Sequence, residues 1–361
     1  MSCNSYVLGV KLKDIPGKRS NTLLQKFKFI NDVLITSRND LDLLHRAGID
    51  DKYIFHLPCG SCSACRLKYS RDWAVRLELE MRRHKHNYFV TTTYDDAFLP
   101  SGNFVYFNKG VKEYSTSSLK PADPVNFIKR FRNYCAREFE HTGVRVFYAG
   151  EYGDLNGRPH YHYIFMNCPD LSDDFQIYKK EAGFDIFISK RINDLWSYNF
   201  GSPRSPIFLP MGYTTICEAN YFTAAYTARY VFKKQKGNDL KELMRYQLVG
   251  NEERRINPFC HMSNRPGIAG DISEEELRKI YDRDSVYYHK KDELFSSFPP
   301  RYFDKLFEEI NPGAFAELKD KRAEARAQLF HVKQYSEDLE GRLQRQEEMA
   351  QRLQKKRRHS L

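Results

Sequence analysis

The chain has 361 residues, 14% of them aromatic, and carries 58 Lys and Arg against 47 Asp and Glu, a net charge of +11. That length holds one large domain or two ordinary ones, and so high an aromatic content excludes a disordered or low-complexity chain. The positive balance suits a polyanion, nucleic acid before an acidic membrane face.

The N-terminus, MSCNSYVLGVKLKDIPGK, is polar where a signal peptide needs an apolar core, and no apolar run reaches membrane-spanning length. The expectation is a soluble, intracellular protein with no membrane partner. Eight Cys are too sparse for a secreted disulfide scaffold. Residues 1–58 mix polar turns with a short apolar stretch and read as an N-terminal extension. Residues 59–87 hold a Cys-rich run and a helix. In the run, Cys59, Cys62 and Cys65 have knuckle-like spacing. A structural zinc completed by His56, Cys260 or His261, an iron–sulfur site, and a turn with buried thiols all fit that spacing. From Ser70 to about Arg83, Trp73, Leu77, Leu79 and Met81 recur at helical spacing.

Tyr88–Tyr94, YFVTTTY, is β-branched and aromatic and reads as a strand. Pro121–Glu140 reads as a helix, with Phe127, Phe131, Tyr134, Cys135 and Phe139 at helical spacing. Its Lys129, Arg130 and Arg132 are either a nucleic-acid wall or a solvated face. Val144–Glu151 and His160–Met166 are two further strands, and the turn residues of YGDLNGRP lie between them. Gly212–Cys217 is a strand and Asn220–Lys234 a helix. Separated strands with interposed helices predict an α+β domain with a mixed sheet and flanking helices over 88–235. Residues 236–310 form a mixed C-terminal region. Residues 311–361 form a charged, helical, basic extension, with Leu329, Val332, Leu339, Leu343 and Leu353 roughly on one stripe.

Two His-x-His patterns occur. His84 and His86 end a charged helix, where residues two apart diverge by about 200°, and they read as exposed. His160 and His162 precede Tyr-Ile-Phe-Met, a strand sequence, so both imidazoles face one way while Tyr161 anchors the strand from behind. On the preceding strand Arg145, Phe147, Ala149 and Glu151 share a face. A hairpin across YGDLNGRP brings Glu151 beside His160, since cross-strand Cβ atoms lie about 4.5–5.5 Å apart. Two imidazoles, one carboxylate and open positions suit Mn²⁺, or Mg²⁺ with waters and a phosphate.

Tyr-x-x-x-Tyr occurs twice. Tyr148 and Tyr152 lie on a strand and its turn, about 13 Å apart, and cannot act together. Tyr226 and Tyr230 lie one turn apart on a helix, flanked by Arg229, Lys233 and Lys234. A phenol is a weak nucleophile at neutral pH, but cations and a metal-activated phosphate lessen that handicap. Attack on a phosphodiester then yields a phosphotyrosine and a free hydroxyl, and the conserved bond energy lets the strand be rejoined.

FVTTTYDD, GRPHYHYIF and AAYTARYVFKK resemble the three motifs of the HUH endonucleases of two-tyrosine type. PCGSCSACR, SRDWAVR, FVTTTYDDAFLP, GEYGDLNGRPHYHYIF and YTARYVFKK together resemble the rolling-circle replication initiators of the Microviridae, gokushovirus type. The likeness runs from about Pro58 to Lys234, and on to NPFCHMSNRPGIA at 257–269. It implies a ferredoxin-like sheet over 88–235 with the His strand central and the tyrosine helix above it. It further implies covalent 5′-phosphotyrosine bonds at Tyr226 and Tyr230 and a catalytic metal on His160, His162 and Glu151. The implied role is to nick viral origin DNA in the double-stranded replicative form. The 3′-OH then primes the host polymerase, with a host helicase, and the displaced single strand is later circularised, all in the bacterial host cytoplasm. Arg229 stands where relatives carry Lys, which keeps the charge but changes donor geometry. The rival expectations are a non-catalytic nucleic-acid-binding protein and a basic scaffold that oligomerises through its tail.

Overall fold

The computed structural model describes residues 7–11, 28–30, 33–36, 41–50, 53–60, 62–153, 156–181, 183–202, 204–229, 238–290 and 293–334. These divide into two compact units, one up to Tyr69 and one from Ser70 on. In the first, Val7–Lys11 lies between Val33–Thr36 and Ile54–Leu57, and Lys28–Ile30 forms the outer edge of a four-stranded antiparallel sheet. Leu8, Val10, Leu44 and Ile49 make its core.

The second unit is built on a seven-stranded sheet. Its spatial order is Gln176–Glu181, Phe184–Ile188, Thr214–Glu218, His86–Thr93, Pro159–Cys168, Arg145–Tyr152 and Phe259–Met262. The expected α+β class holds, with one correction to the sheet: every neighbouring pair is antiparallel rather than mixed. His86–Thr93 and Arg145–Tyr152 are joined through the helix Ala122–Phe139 and run parallel to each other, but Pro159–Cys168 is slotted between them. This is a split β-α-β arrangement. The edge strand Phe259–Met262 comes from well beyond residue 235.

Alternation along Pro159–Cys168 divides the unit into layers. Tyr161, Tyr163 and Phe165 point to one face, where Phe127, Phe131 and Cys135 of Ala122–Phe139 meet them. Phe131 stacks on Phe165 with ring centroids 4.0 Å apart. Ile164 and Met166 point to the other face, against Trp73, Leu77 and Met81 of the helix Ser63–Met81 and Ala224 and Ala228 of the helix Tyr221–Arg229. His160 and His162 belong to this second face. The basic side of Ala122–Phe139 therefore lies across the sheet from them. Arg130 donates to the carbonyls of Leu195 and Ser197, and Arg132 to the carbonyl of Val144 and to Ser263, so both are structural clamps; Lys129 is exposed.

The helix Pro312–Gln334 begins the expected extension. The side chains of the leucine stripe and the basic end lie outside the described residues. Among the described residues, no helix is long and apolar enough to cross a membrane.

Candidate metal centre and nucleophile

The turn between the two paired strands sets the geometry. The Gly153 N–H donates to the Arg158 carbonyl at 2.9 Å and the Gly157 N–H to the Gly153 carbonyl at 3.0 Å, with Gly157 at φ +59° where a side chain is disfavoured. The resulting register places Glu151 opposite His160 and Ala149 opposite His162. Tyr161 between the histidines is fully buried on the other face, and its hydroxyl accepts from the Lys120 N–H at 2.9 Å. A one-residue slip would bury both imidazoles among those aromatics, so packing holds the register.

Glu151 Oε1 lies 2.7 Å from His160 Nε2 and 3.1 Å from His162 Nε2. One ligand atom from each residue falls within 4.8 Å of the others, a set that could hold a metal ion. Glu151 and His162 are buried and His160 half-buried. Burial pushes the Glu151 carboxyl up, but hydrogen bonds to His160 and His162 and their charge outweigh it and hold the group well below its ordinary range. The far ring nitrogens are tied down: His162 Nδ1 lies 2.9 Å from Thr91 Oγ1 and His160 Nδ1 lies 3.2 Å from the Arg158 carbonyl oxygen. A carbonyl only accepts, so His160 Nδ1 carries a proton and Nε2 is turned on the carboxylate. That contact is favourable only with a cation, a proton or a metal ion, on Nε2. The donor set thus fits a divalent ion, with the outer hydrogen bonds orienting each ring.

Tyr226 reaches this centre from the helix Tyr221–Arg229. Asn220 caps the helix, its Oδ1 accepting from the N–H groups of Phe222 and Thr223, while Thr223 Oγ1 accepts from the Asn220 N–H. The face toward the sheet is made of small side chains, Thr223, Ala224, Thr227 and Ala228, all buried. Small residues let the helix lie close, and the Tyr226 ring meets His162 edge-on with centroids 5.1 Å apart. Phe89 completes the wall, stacked on His162 at 5.5 Å and edge-on to Tyr226 at 6.1 Å. The Arg229 guanidinium carbon lies 5.7 Å from the Tyr226 ring centre. Tyr230 lies outside the described residues, as does the rest of the predicted helix to Lys234.

The other histidine pair departs from its expected exposure. The helix ends at Met81, and both His84 and His86 are half-buried. His84 Nε2 lies 3.7 Å from Glu80 Oε1, and the fully buried Glu80 also pairs with Arg145 Nε at 2.5 Å. A buried carboxylate draws in cations that a surface reading leaves to solvent. The thiols of Cys59, Cys62 and Cys65 lie within 4.8 Å of one another and could also hold a metal ion. The Cys62 N–H donates to Cys59 Sγ at 3.3 Å, and Gly60 sits at φ +70° in the turn between them. Cys260 lies in the other unit, on the strand Phe259–Met262, and the side chain of His56 lies outside the described residues. Sequence reasoning did not single out Phe89 and Thr91 individually. The alternation of FVTTTY, once paired with His162, was the signal for both.

Residues 87–235 match a family of replication-associated proteins, the ORF2 family. The chain is 34% identical over 266 residues to replication-associated protein ORF2 of Spiroplasma virus 4, covering 73% of this chain and 72% of that protein. It is 27% identical over 276 residues to replication-associated protein VP4 of Bdellovibrio phage phiMH2K, with coverage of 74% and 72%. It is 28% identical over 229 residues to replication-associated protein ORF4 of Chlamydia phage 1, with coverage of 62% and 49%. No solved structure matches the chain.

Proposed function

The chain belongs to the replication-associated proteins of the Microviridae, and from that premise we propose that it is a rolling-circle initiator that nicks viral origin DNA by tyrosine attack. In this reading it is a site-specific DNA endonuclease with strand-transfer activity and an HUH fold. Tyr226 Oη attacks the scissile phosphorus and the P–O3′ bond breaks. The product is a 5′-phosphotyrosine, the leaving O3′ takes a proton to become a 3′-hydroxyl, and the phenolic proton passes to solvent. One phosphodiester replaces another, so the reverse reaction rejoins the strand.

A divalent ion, Mg²⁺ or Mn²⁺, held by Glu151, His160 and His162 supplies polarisation of the phosphate oxygen when bound. The protein's own residues do the rest. Thr91 and the Arg158 carbonyl orient the imidazoles. Phe89 shields the inner side of His162, and Arg229 sets positive charge beside the phenol. Tyr230, one helical turn on in sequence, is the second nucleophile and permits a second transfer before the first product leaves. The substrates are the double-stranded replicative form and the displaced single strand. The 3′-OH is extended by a host polymerase with a host helicase, in the bacterial cytoplasm. The Cys59, Cys62 and Cys65 thiols take a structural zinc.

The observation that carries this reading is the Tyr226 ring against His162, on the sheet face that holds both histidines and Glu151. The test is incubation with single-stranded origin DNA and Mn²⁺. A protein–DNA band that survives boiling in detergent is expected, and it disappears in the Tyr226→Phe, Tyr230→Phe double variant. A band that persists in that variant places the nucleophile elsewhere. Absence of any band from the wild-type protein leaves a non-catalytic binder.

A further inference from the structure

Tyr213 is the most exposed aromatic side chain among the described residues, at 71%. An isolated exposed tyrosine needs no explanation, but this one stands on an unusually constrained backbone. The Thr93 N–H donates to the Tyr213 carbonyl at 2.9 Å and the Thr93 hydroxyl to the same oxygen at 3.2 Å. Two residues earlier, the Met211 carbonyl accepts from the Asp95 N–H at 2.8 Å and the Met211 N–H donates to the Trp196 carbonyl at 2.9 Å. Between these anchors, Gly212 sits so close to the neighbouring strand that an added Cβ would fall 2.2 Å from the Thr93 carbonyl oxygen. Only glycine fits, and the chain is pinned on both sides of it. The ring is thus an exposed apolar surface held ready at little cost in entropy.

Register says which face it occupies. Thr214 pairs with Thr92, so the next pair outward is Tyr213 with Thr93. Thr93 pairs with His160, and His160 with Glu151. Directly paired residues share a face. Tyr213, Thr93, His160 and Glu151 therefore form one row across the sheet, on the face that carries the candidate metal centre. The adjacent row is Thr215, Thr91 and His162. The threonines are half-buried and short, and make a low polar floor between the centre and the tyrosine. Two strand spacings put Tyr213 about 10 Å from His160, within reach of a neighbouring nucleotide.

We propose that Tyr213 is a stacking shelf for an unpaired base of the strand whose phosphate sits at Glu151, His160 and His162. The inference rests on the proposed nicking function and adds a nucleotide-binding subsite to it. DNA is the occupant that agrees with the chain's net charge of +11 and with a metal centre in the same row. Every base has a π face, so the shelf contributes affinity and placement rather than sequence choice. The phenolic hydroxyl has no part in it.

The test uses the full chain with single-stranded origin oligonucleotides that carry 2-aminopurine at successive positions around the nick. Wild-type protein quenches the probe at one position beside the scissile phosphate. Tyr213→Ala loses that quench and raises Kd and KM by about 5- to 150-fold, the range of one base stacked on one aromatic ring. Its turnover at saturating DNA stays within a few-fold of wild type. Tyr213→Phe restores both quench and KM, which a damaged strand end would not allow. Wild-type quench and KM in Tyr213→Ala overturn the shelf. So does a Phe variant that behaves like Ala, because the hydroxyl would then be the working group. A change from dimer to monomer in Tyr213→Ala with unchanged quench also overturns it, and assigns the ring to a second copy of the chain. Quench and Kd are read without cleavage. A protein that binds and quenches through Tyr213 yet never nicks supports the shelf and defeats only the nicking reading.

Discussion

Glu151→Gln separates the metal role of the site from its packing. The substitution keeps the shape of a side chain that is 2% exposed and removes its charge. Hydrogen bonds to charged groups contribute about 1.5–3 kcal/mol each, and Oε1 faces two imidazole nitrogens. Burying a carboxylate costs several kcal/mol, which offsets most of that gain. The stability of the variant without added metal should therefore change by less than about 2 kcal/mol. Metal binding behaves differently, because one donor of three is weakened. At Mn²⁺ near 100 times Kd, binding stabilises the wild-type protein by about 2.7 kcal/mol. At about 2–4 °C per kcal/mol for a domain of this size, Tm rises by about 5–10 °C. In Glu151→Gln the same Mn²⁺ concentration should raise Tm by less than about 2 °C. Scanning calorimetry after chelation, with and without MnCl₂, makes the comparison. An equal rise in wild type and variant would remove Glu151 from the ligand set. No rise in wild type would remove the metal from all three residues.

Ala228→Leu should thicken the helix face that lies on the sheet, cost about 1–3 kcal/mol of stability and lower the rate of DNA adduct formation at least about tenfold, while the Mn²⁺-dependent rise in Tm survives; an unchanged rate means the small face does not position Tyr226. Arg145→Met strands the fully buried Glu80 and should lose about 3–5 kcal/mol in urea unfolding, much of it recovered when Glu80 is also made apolar. A loss below about 1 kcal/mol would show that His84 and the backbone suffice for that carboxylate. Elemental analysis of purified protein should find about one zinc per chain, lost in Cys62→Ser, and a wild-type value under about half an equivalent defeats the zinc proposal.

Much of the second unit was readable from periodicity. Alternation in HYHYIF put His160 and His162 on one face and Tyr161 on the other, because a strand has a period of two whatever surrounds it. The turn residues of YGDLNGRP made a hairpin the shortest connection, and a hairpin sets register locally. Helical spacing found Phe127 and Phe131, and helix formers with two tyrosines one turn apart found the helix at Tyr221. The failures share one cause. His84 looked solvated because its partner Glu80 is buried by packing that no local window shows. Lys129, Arg130 and Arg132 looked alike, yet two of them clamp carbonyls 12 to 67 residues away along the chain. A mixed sheet was expected because helices separate the strands, whereas the order in space inserts Pro159–Cys168 between the two strands that a helix connects.

What the sequence determined alone was therefore local: which side chains share a strand face, which turn joins Glu151 to His160, and which helix stripe is small and apolar. Tertiary structure decided which of those faces meet. Thr223, Ala224, Thr227 and Ala228 could pack on any apolar surface, and only burial against Phe89, Ile164 and Cys217 sets Tyr226 against His162. Tyr213 is the extreme case, an ordinary surface residue by sequence, aligned with the metal centre by two long-range strand pairings and by a glycine that no other residue can replace. Such pairings join residues far apart in the chain, and their free energy comes from surfaces that exist only once the whole sheet is formed.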